Sequence, residues 1–218
     1  AAATSQLALS DPGNIVAGNR AAYVVTRKDA FGNVTTSGSQ TVYLYSDSAG
    51  ANDKFYDAAS GGSVISSVVI ADASSTASFW YYDDLATTAT VTASDNATSP
   101  DGTANIDDAT DSVTVTAAAT SQFTLNDPGN ITAGNRAAYV VTRKDSFGNV
   151  TTSGAQTVYL YSDSAGANDA FYNVSSGGSP VASVAIADAA STANFWYYDD
   201  LATTATVTAS DNATSPDG

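Results

Sequence analysis

Oxygen-bearing side chains crowd one stretch near the middle of the chain. Six of them lie within 17 residues: Asp95, Asn96, Asp101, Asp107, Asp108 and Asp111. Carboxylate and amide oxygens are the hard ligands that calcium takes, typically about six to eight per ion. The spacing differs from that of an EF-hand loop, and Asp and Asn are also common in solvated turns. The stretch therefore predicts a calcium site and leaves a plain turn as the alternative.

The composition excludes most other chemistry. Among the 218 residues there is no Cys, His, Met or Glu, and 22 Asp stand against seven bases, for a net charge of −15. Cys or His metal sites, disulfides and Ser-His or Cys-His catalytic couples therefore cannot form. The acidity argues against a nucleic-acid partner, and no apolar stretch reaches the roughly 18–20 residues of a membrane span. We predict a protein that is not an enzyme and a segment that does not insert into membranes.

The chain contains an internal duplication. Residues 3–102 align without a gap with residues 119–218, at an offset of 116, and differ at 16 of 100 positions. Near-identical copies in tandem are typical of modular arrays, in which each repeat is one structural unit. We therefore predict two domains, residues 1–118 and residues 119–218.

The second copy stops before the first one does. Residues 103–118 (TANIDDATDSVTVTAA) have no counterpart after Gly218, and they contain a predicted strand with Val113 and Val115 on one face. The second domain should therefore lack its last strand within this chain. Two interpretations stay open: the chain is an excerpt of a longer array, or another chain supplies the strand, as in strand-addition assembly.

The predicted elements are all β-strands. Alternating segments rich in Val, Thr, Tyr and Phe, bounded by turn residues, favour strands. In the first copy they are residues 5–10, 21–28, 41–47, 67–72, 77–83, 88–94 and 112–117. About seven strands in a unit of this size is typical of an immunoglobulin-like β-sandwich. We therefore predict two tandem sandwiches of this class.

Aromatic side chains are expected to line an outer face of each sandwich. They alternate with apolar neighbours that should point to the core, and they are Tyr43, Tyr45, Trp80 and Tyr82 in the first copy and Tyr159, Tyr161, Trp196 and Tyr198 in the second. Exposed aromatic faces stack on sugars or dock partners. Cover by a neighbouring loop is the alternative interpretation.

Acids are also expected to gather where the two sandwiches meet. If the strands run in immunoglobulin order, ten carboxylates lie at the adjoining poles: Asp11, Asp47, Asp53, Asp57, Asp83, Asp84, Asp145, Asp188, Asp211 and Asp217. Two carboxylates about 4 Å apart repel by about 4 kcal/mol at an effective dielectric near 20. Such crowding favours a bound divalent cation or wide separation. The junction is therefore a second predicted position for calcium.

Five short motifs of the first copy, with close counterparts in the second, carry a family resemblance. They are SQL (5–7), DAFGN (29–33), FYDA (55–58), FWYYD (79–83) and ATVTA (89–93). The pattern resembles the bacterial immunoglobulin-like domains of large prokaryotic surface proteins, the invasin/intimin-like group and related adhesin repeats. One departure is Val34, and Val150 in the second copy, where many relatives have Pro after the hairpin Asn.

The resemblance implies a structural role at the cell surface. We expect an extracellular module of a stalk, filament or surface-layer segment, stiffened by calcium, whose partners are neighbouring repeats or copies of itself. Two alternatives remain: an adhesive module that binds surface glycans through the aromatic face, and a filament subunit completed by a strand from a neighbouring chain.

Overall fold

The computed structural model describes residues 2–216, and every regular element in that range is a β-strand. The chain separates into two compact units after Ala118. The strands of the first unit are β1 (Gln6–Leu9), β2 (Ile15–Val16), β3 (Arg20–Lys28), β4 (Gln40–Ser46), β5 (Lys54–Tyr56), β6 (Val64–Ile65), β7 (Ser67–Ile70), β8 (Thr76–Tyr82), β9 (Thr88–Ser94) and β10 (Ala109–Thr116). Those of the second unit are β11 (Gln122–Leu125), β12 (Arg136–Lys144), β13 (Gln156–Ser162), β14 (Ala170–Tyr172), β15 (Pro180–Val181), β16 (Ser183–Ile186), β17 (Thr192–Tyr198) and β18 (Val207–Ser210). No helix that is long and apolar enough to cross a membrane occurs among the described residues.

The first unit has two five-stranded sheets. One has the order β1-β3-β8-β5-β6 and the other the order β2-β10-β9-β4-β7. Neighbouring strands are antiparallel except for β2, which runs parallel to β10 and places Ile15 opposite Val115. The predicted all-β class with tandem sandwich domains is confirmed.

The second unit repeats the first of these sheets in full and the other only in part. Its five-stranded sheet has the order β11-β12-β17-β14-β15, whereas the second sheet has three strands in the order β16-β13-β18. The shared registers are the same after the offset, since Tyr23 faces Phe79 and Tyr139 faces Phe195. A counterpart of β10 is absent from the described residues, as the shortened second copy predicts, and residues 131–132, which correspond to β2, are described but do not form a strand.

Alternation along the strands builds an aromatic core in each unit. The rings of Tyr23 and Phe79 stack with their centroids 5.3 Å apart, and Phe55 meets Phe79 edge-on at 5.7 Å. In the second unit, Tyr139 and Phe195 stack at the same 5.3 Å. None of the differences between the two copies replaces these rings. Because aromatic burial dominates core energetics, both copies share the main source of their stability.

Three short strands of the first unit were not expected from the sequence. They are β2, β5 and β6, of two, three and two residues. Segments of this length show no readable alternation and form because a longer neighbour pairs with them. The first unit therefore has ten strands rather than about seven.

Candidate metal centre

Three aspartates of the crowded stretch come together at one end of the β9–β10 pair. Asp95 directly follows β9, Asp108 directly precedes β10, and Asp101 lies in the connecting loop. The two strands are antiparallel, with Ala93 opposite Ala109, so the end of one strand lies beside the start of the other. One carboxylate oxygen from each aspartate lies within 4.8 Å of the other two.

Backbone turns hold this loop in place. The Gly102 N–H donates to Oδ2 of Asp108 at 2.7 Å, and the Asp108 N–H donates to the Gly102 carbonyl at 2.7 Å. Gly102 and Asn105 have φ angles of 71° and 61°, a left-handed conformation that Gly and Asn adopt most readily. The Asn96 side chain donates to Oδ2 of Asp101 at 3.3 Å. These bonds occupy the Oδ2 atoms of Asp101 and Asp108 and leave their Oδ1 atoms available.

The Oδ1 atoms of Asp95, Asp101 and Asp108 are buried and have no hydrogen-bond partner. A buried acceptor without a partner costs about 1–3 kcal/mol, and more when it is charged. Burial, followed by the charge of Asp101 and that of Asp108, raises the pKa of the Asp95 carboxyl. The cluster is therefore electrostatically strained unless a cation or protons enter it.

The donor set fits a hard divalent cation. Carboxylate oxygens are preferred by Ca²⁺, which also accepts backbone carbonyls and water into a flexible coordination shell. The chain has no Cys or His, which are the usual ligands of structural zinc. The three unpaired Oδ1 atoms are therefore suited to a hard cation of the calcium type rather than to zinc.

The cluster should make the stability of the first unit depend on pH when calcium is chelated. A carboxyl whose folded-state pKa is raised stabilises the fold fully below the ordinary Asp pKa near 4 and loses that contribution as the pH rises through the folded pKa. We therefore expect the free energy of unfolding to increase as the pH falls from 7 towards about 5. Urea unfolding followed by the fluorescence of Trp80, in a Trp196→Phe background, measures it.

Other aspartates of the first unit also have shifted pKa values, and they determine the controls for the pH measurement. Burial also raises the pKa of Asp53, so Asp95→Asn should reduce the increase without abolishing it. A hydrogen bond from Asn33 lowers the pKa of Asp29, and one from Thr90 lowers the pKa of Asp47. These two carboxyls stabilise the fold at neutral pH, and that contribution is lost only as the pH falls below the ordinary Asp pKa. Saturating calcium should remove the share of the increase that comes from the cluster, because protons then compete with the ion, and should leave the share of Asp53. An Asp95→Asn profile identical to that of the unsubstituted chain would contradict the electrostatic account.

The remaining residues of the crowded stretch have other contacts. The Asn96 side chain orients Asp101 rather than pointing a free oxygen into the cluster, since its Oδ1 accepts the Thr98 N–H at 3.0 Å. Asp107 is exposed, and its backbone pairs with β1. Asp111 accepts a hydrogen bond from the Tyr23 hydroxyl at 2.7 Å.

The structure describes the acids predicted at the junction within their own units. Asp83 is buried, and its Oδ2 accepts the Ser48 hydroxyl at 2.6 Å. Asp84 accepts the Asn52 amide at 2.6 Å. Asp145 is buried and accepts the backbone N–H of Asn149 at 2.9 Å across a hairpin. Asp211 is exposed at the end of β18, and Asp217 lies outside the described residues. A calcium position at the junction stays a prediction.

The predicted aromatic face is wrong in one respect. Val42, Leu44, Phe79 and Tyr81 do point into the core, as expected. Tyr43 and Tyr45, however, lie on β4, and Trp80 and Tyr82 lie on β8, which belongs to the other sheet. Outward side chains of the two sheets of a sandwich face opposite directions, so the four rings do not share a face. Their counterparts Tyr159, Tyr161, Trp196 and Tyr198 are divided between β13 and β17 in the same way.

The outward side chains are partly occupied by local contacts. The Tyr45 hydroxyl donates to the Asn96 carbonyl at 2.6 Å, next in sequence to Asp95 of the aspartate cluster. Tyr82 packs edge-on against Tyr56 at 6.3 Å, and the Arg20 guanidinium lies 3.4 Å from the Tyr56 ring centroid. All of these rings are half-buried. What remains on one face is a smaller patch formed by Trp80, Tyr82, Tyr56 and Arg20.

The sequence interpretation overlooked a buried cation in each unit. Arg27 and Arg143 are each 1% exposed. The Arg27 guanidinium donates to carbonyls of two loops, including those of Gly38 and Ser74 at 2.6 Å. The alternation of β3 could have predicted this burial, because Arg27 follows Tyr23 and Val25 on the inward face of the strand.

Comparison with known proteins finds solved structures of low sequence identity and low TM-score. No protein-family model and no curated protein matches the chain. Among solved structures, domains 5–6 of the S-layer protein SbsC match 90% of this chain and 84% of their own, with 16% identity and a TM-score of 0.34. The D00-D0 domains of intimin match 95% of this chain and 94% of their own, with 12% identity and a TM-score of 0.43. Invasin, a bacterial integrin-binding protein, matches 94% of this chain and 35% of its own, with 14% identity and a TM-score of 0.38.

Intimin and invasin belong to the group that the sequence motifs resemble. With TM-scores below 0.5, however, these likenesses carry no argument about what the chain does.

Proposed function

We propose that this chain is a pair of structural modules of an extracellular repeat protein, serving as a segment of a cell-surface stalk, filament or surface layer. The observation that carries the proposal is the reuse of one core arrangement. The stacked Tyr–Phe pair and the buried Arg recur at the same register in both units. Units built on one core arrangement can be repeated to set length, which is how solenoids and domain arrays gain reach.

Charge and composition support a surface location. At a net charge of −15 the chain repels its own copies, which favours solubility over nonspecific association. The chain also has no Cys or Met, the residues most readily oxidised. These properties suit a non-enzymatic module that is exposed outside the cell.

Calcium is the proposed stabiliser of the first unit. The three unpaired Oδ1 atoms lie at the end where β9 finishes and β10 begins, and β10 lies between β2 and β9 in the second sheet. An ion bound there would fix the β9–β10 loop and relieve the repulsion among Asp95, Asp101 and Asp108. Any ligand that binds only the folded state stabilises it, by about 2.7 kcal/mol at a hundred times its dissociation constant.

Stretching single molecules between two handles tests the modular role. Independent modules should unfold in two separate events, each releasing roughly 30–40 nm of chain at about 3.3–3.6 Å per residue. Calcium should raise the unfolding force of one event only, and Asp108→Asn should remove that effect while Asp107→Asn retains it. A single unfolding event for the whole chain would contradict the proposal.

Glycan binding is a second candidate, favoured by the patch of Trp80, Tyr82 and Tyr56 on one sheet. Aromatic rings with a neighbouring Arg are suited to stacking on sugars. A shift of tryptophan fluorescence on adding polysaccharides would favour glycan binding over a purely structural role. The shift should be lost when Tyr56 and its counterpart in the second unit are both replaced, as Tyr56→Ala and Tyr172→Ala.

A further inference from the structure

An apolar strip crosses four neighbouring strands on the outer face of the first sheet. The register places Val64 of β6 beside Tyr56 of β5. Tyr56 in turn lies beside Trp80 of β8, and Trp80 beside Ala22 of β3. Val64 and Ala22 are exposed, and the two rings are half-buried. Because neighbouring strands lie about 4.8 Å apart, the strip is about 14 Å long and offers a surface on which rings can stack.

An arginine is fixed beside this strip. Arg20 of β3 lies opposite Tyr82 of β8, and its guanidinium lies 3.4 Å from the centroid of the Tyr56 ring. Its Nη1 donates to the carbonyls of Ala58 and Gly61, at 2.6 and 2.7 Å. The ring and the two carbonyls together hold the planar guanidinium in one orientation.

The other two nitrogens of the Arg20 guanidinium are free. Among the described residues, Nε and Nη2 donate to no acceptor. The acids that flank the strip have other donors, since Asp84 accepts the Asn52 amide at 2.6 Å and Asp57 accepts the Ser63 N–H at 2.7 Å. Nε and Nη2 lie on one edge of the guanidinium, where two parallel N–H groups match the two oxygens of a carboxylate. The site therefore favours a ligand that has both a ring and a carboxylate.

The second unit repeats the strip and the arginine. The same register joins four residues of β15, β14, β17 and β12: Pro180, Tyr172, Trp196 and Ala138. The Arg136 guanidinium lies 3.3 Å from the centroid of the Tyr172 ring, and its Nη1 donates to the carbonyls of Val174 and Gly177, both at 2.8 Å. The arrangement persists although residues 57–59 (DAA) and 173–175 (NVS) of the contacted loop differ.

We propose that each strip and its free guanidinium edge bind an acidic polysaccharide that contains uronic acids. A sugar ring stacks on Trp80, and its carboxylate accepts hydrogen bonds from Nε and Nη2 of Arg20. The proposal rests on the glycan-binding candidate above and specifies its class of ligand. The net charge of −15 opposes a polyanion, but charges farther apart than about 8 Å are largely screened at physiological salt, so the local guanidinium decides.

Titration with a short oligomer of galacturonic acid tests the site. Fluorescence of Trp80 in a Trp196→Phe background reports binding to the first unit, at about 0.15 M salt. EDTA removes calcium, which itself binds uronates, so the outcome does not depend on the calcium proposal. The methyl ester of the same oligomer keeps the rings and loses the charge, and it should bind at least about tenfold more weakly. Arg20→Lys keeps the charge and loses the planar edge, and it should show a similar loss.

Lys28→Gln is the matched control, because it removes a cation at the far end of β3 and should leave binding unchanged. Equal binding of the acid and its ester, or undiminished binding by Arg20→Lys, would overturn the acidic class and leave glycan binding in place. Absence of binding of both oligomers would overturn the proposal, and if neutral polysaccharides also fail to bind, the glycan-binding candidate fails with it.

Discussion

Replacement of Arg27 by Met should lower the free energy of unfolding of the first unit by about 3–5 kcal/mol. The guanidinium is buried and donates to the carbonyls of Thr35, Ser37 and Gly38 before β4, and of Ala71 and Ser74 before β8, at 2.6–3.3 Å. Methionine fills a similar volume but leaves these buried acceptors without a donor. Because domains are stable by only about 5–15 kcal/mol, the loss brings the unit close to unfolding.

Each unit contains one tryptophan, which allows the effect to be assigned. Urea unfolding in a Trp196→Phe background reports the first unit through Trp80 alone. Lys28→Met changes the adjacent, half-buried cation and should cost less than about 0.5 kcal/mol. Arg143→Met, read through Trp196, should reproduce the loss in the second unit. A cost below about 1 kcal/mol for Arg27→Met would show that the carbonyls find other partners.

Extending the chain after Gly218 by residues 103–118 should stabilise the second unit by roughly 3 kcal/mol, which corresponds to an increase in Tm of about 10–20 °C. Two buried valines and the recovered burial of Tyr139 favour the change, while ordering of the added residues offsets part of it. The extension should also return residues 204–206 to the strand conformation that their identical counterparts have in β9. Thermal unfolding monitored through Trp196 measures the shift.

The same extension with both valines replaced by Asp separates packing from chain length. It adds the same number of residues but cannot fill the open groove of about 500 Å³ that Ile131, Ala133 and Tyr139 line in the second unit, and we expect no rise in Tm. An equal rise for both extensions would mean that the groove beside Ile131 and Tyr139 contributes nothing to stability.

Local patterns were sufficient for the longer strands and indicated the stretch in which three aspartates meet. Alternation placed Val42, Leu44, Phe79 and Tyr81 in the core, and all four are buried. The density of oxygen ligands pointed to the stretch that contains Asp95, Asp101 and Asp108. It could not separate these three from Asp107 and Asp111, because that distinction depends on which side of β10 each residue faces and on the turn at Gly102.

Non-local features were beyond such patterns. Tyr43 and Trp80 were assigned to one face although their strands belong to different sheets, and strand order is not encoded in the alternation of a single strand. Arg27 illustrates the opposite case: its inward position was readable from β3, but the carbonyls that satisfy it come from loops around residues 35–38 and 71–74. Its role becomes evident only once those loops are placed.

Titration of the 218-residue chain with Ca²⁺ tests the central claim most directly, that the first unit is a sandwich closed by a calcium ion at the β9–β10 loop. The account predicts saturable binding that Asp95→Asn and Asp108→Asn each weaken by at least about tenfold, because each removes a charged oxygen ligand. Asp107→Asn, one residue away and exposed, should bind calcium as the unsubstituted chain does. Absence of calcium binding, or binding that neither Asp95→Asn nor Asp108→Asn weakens, would contradict it.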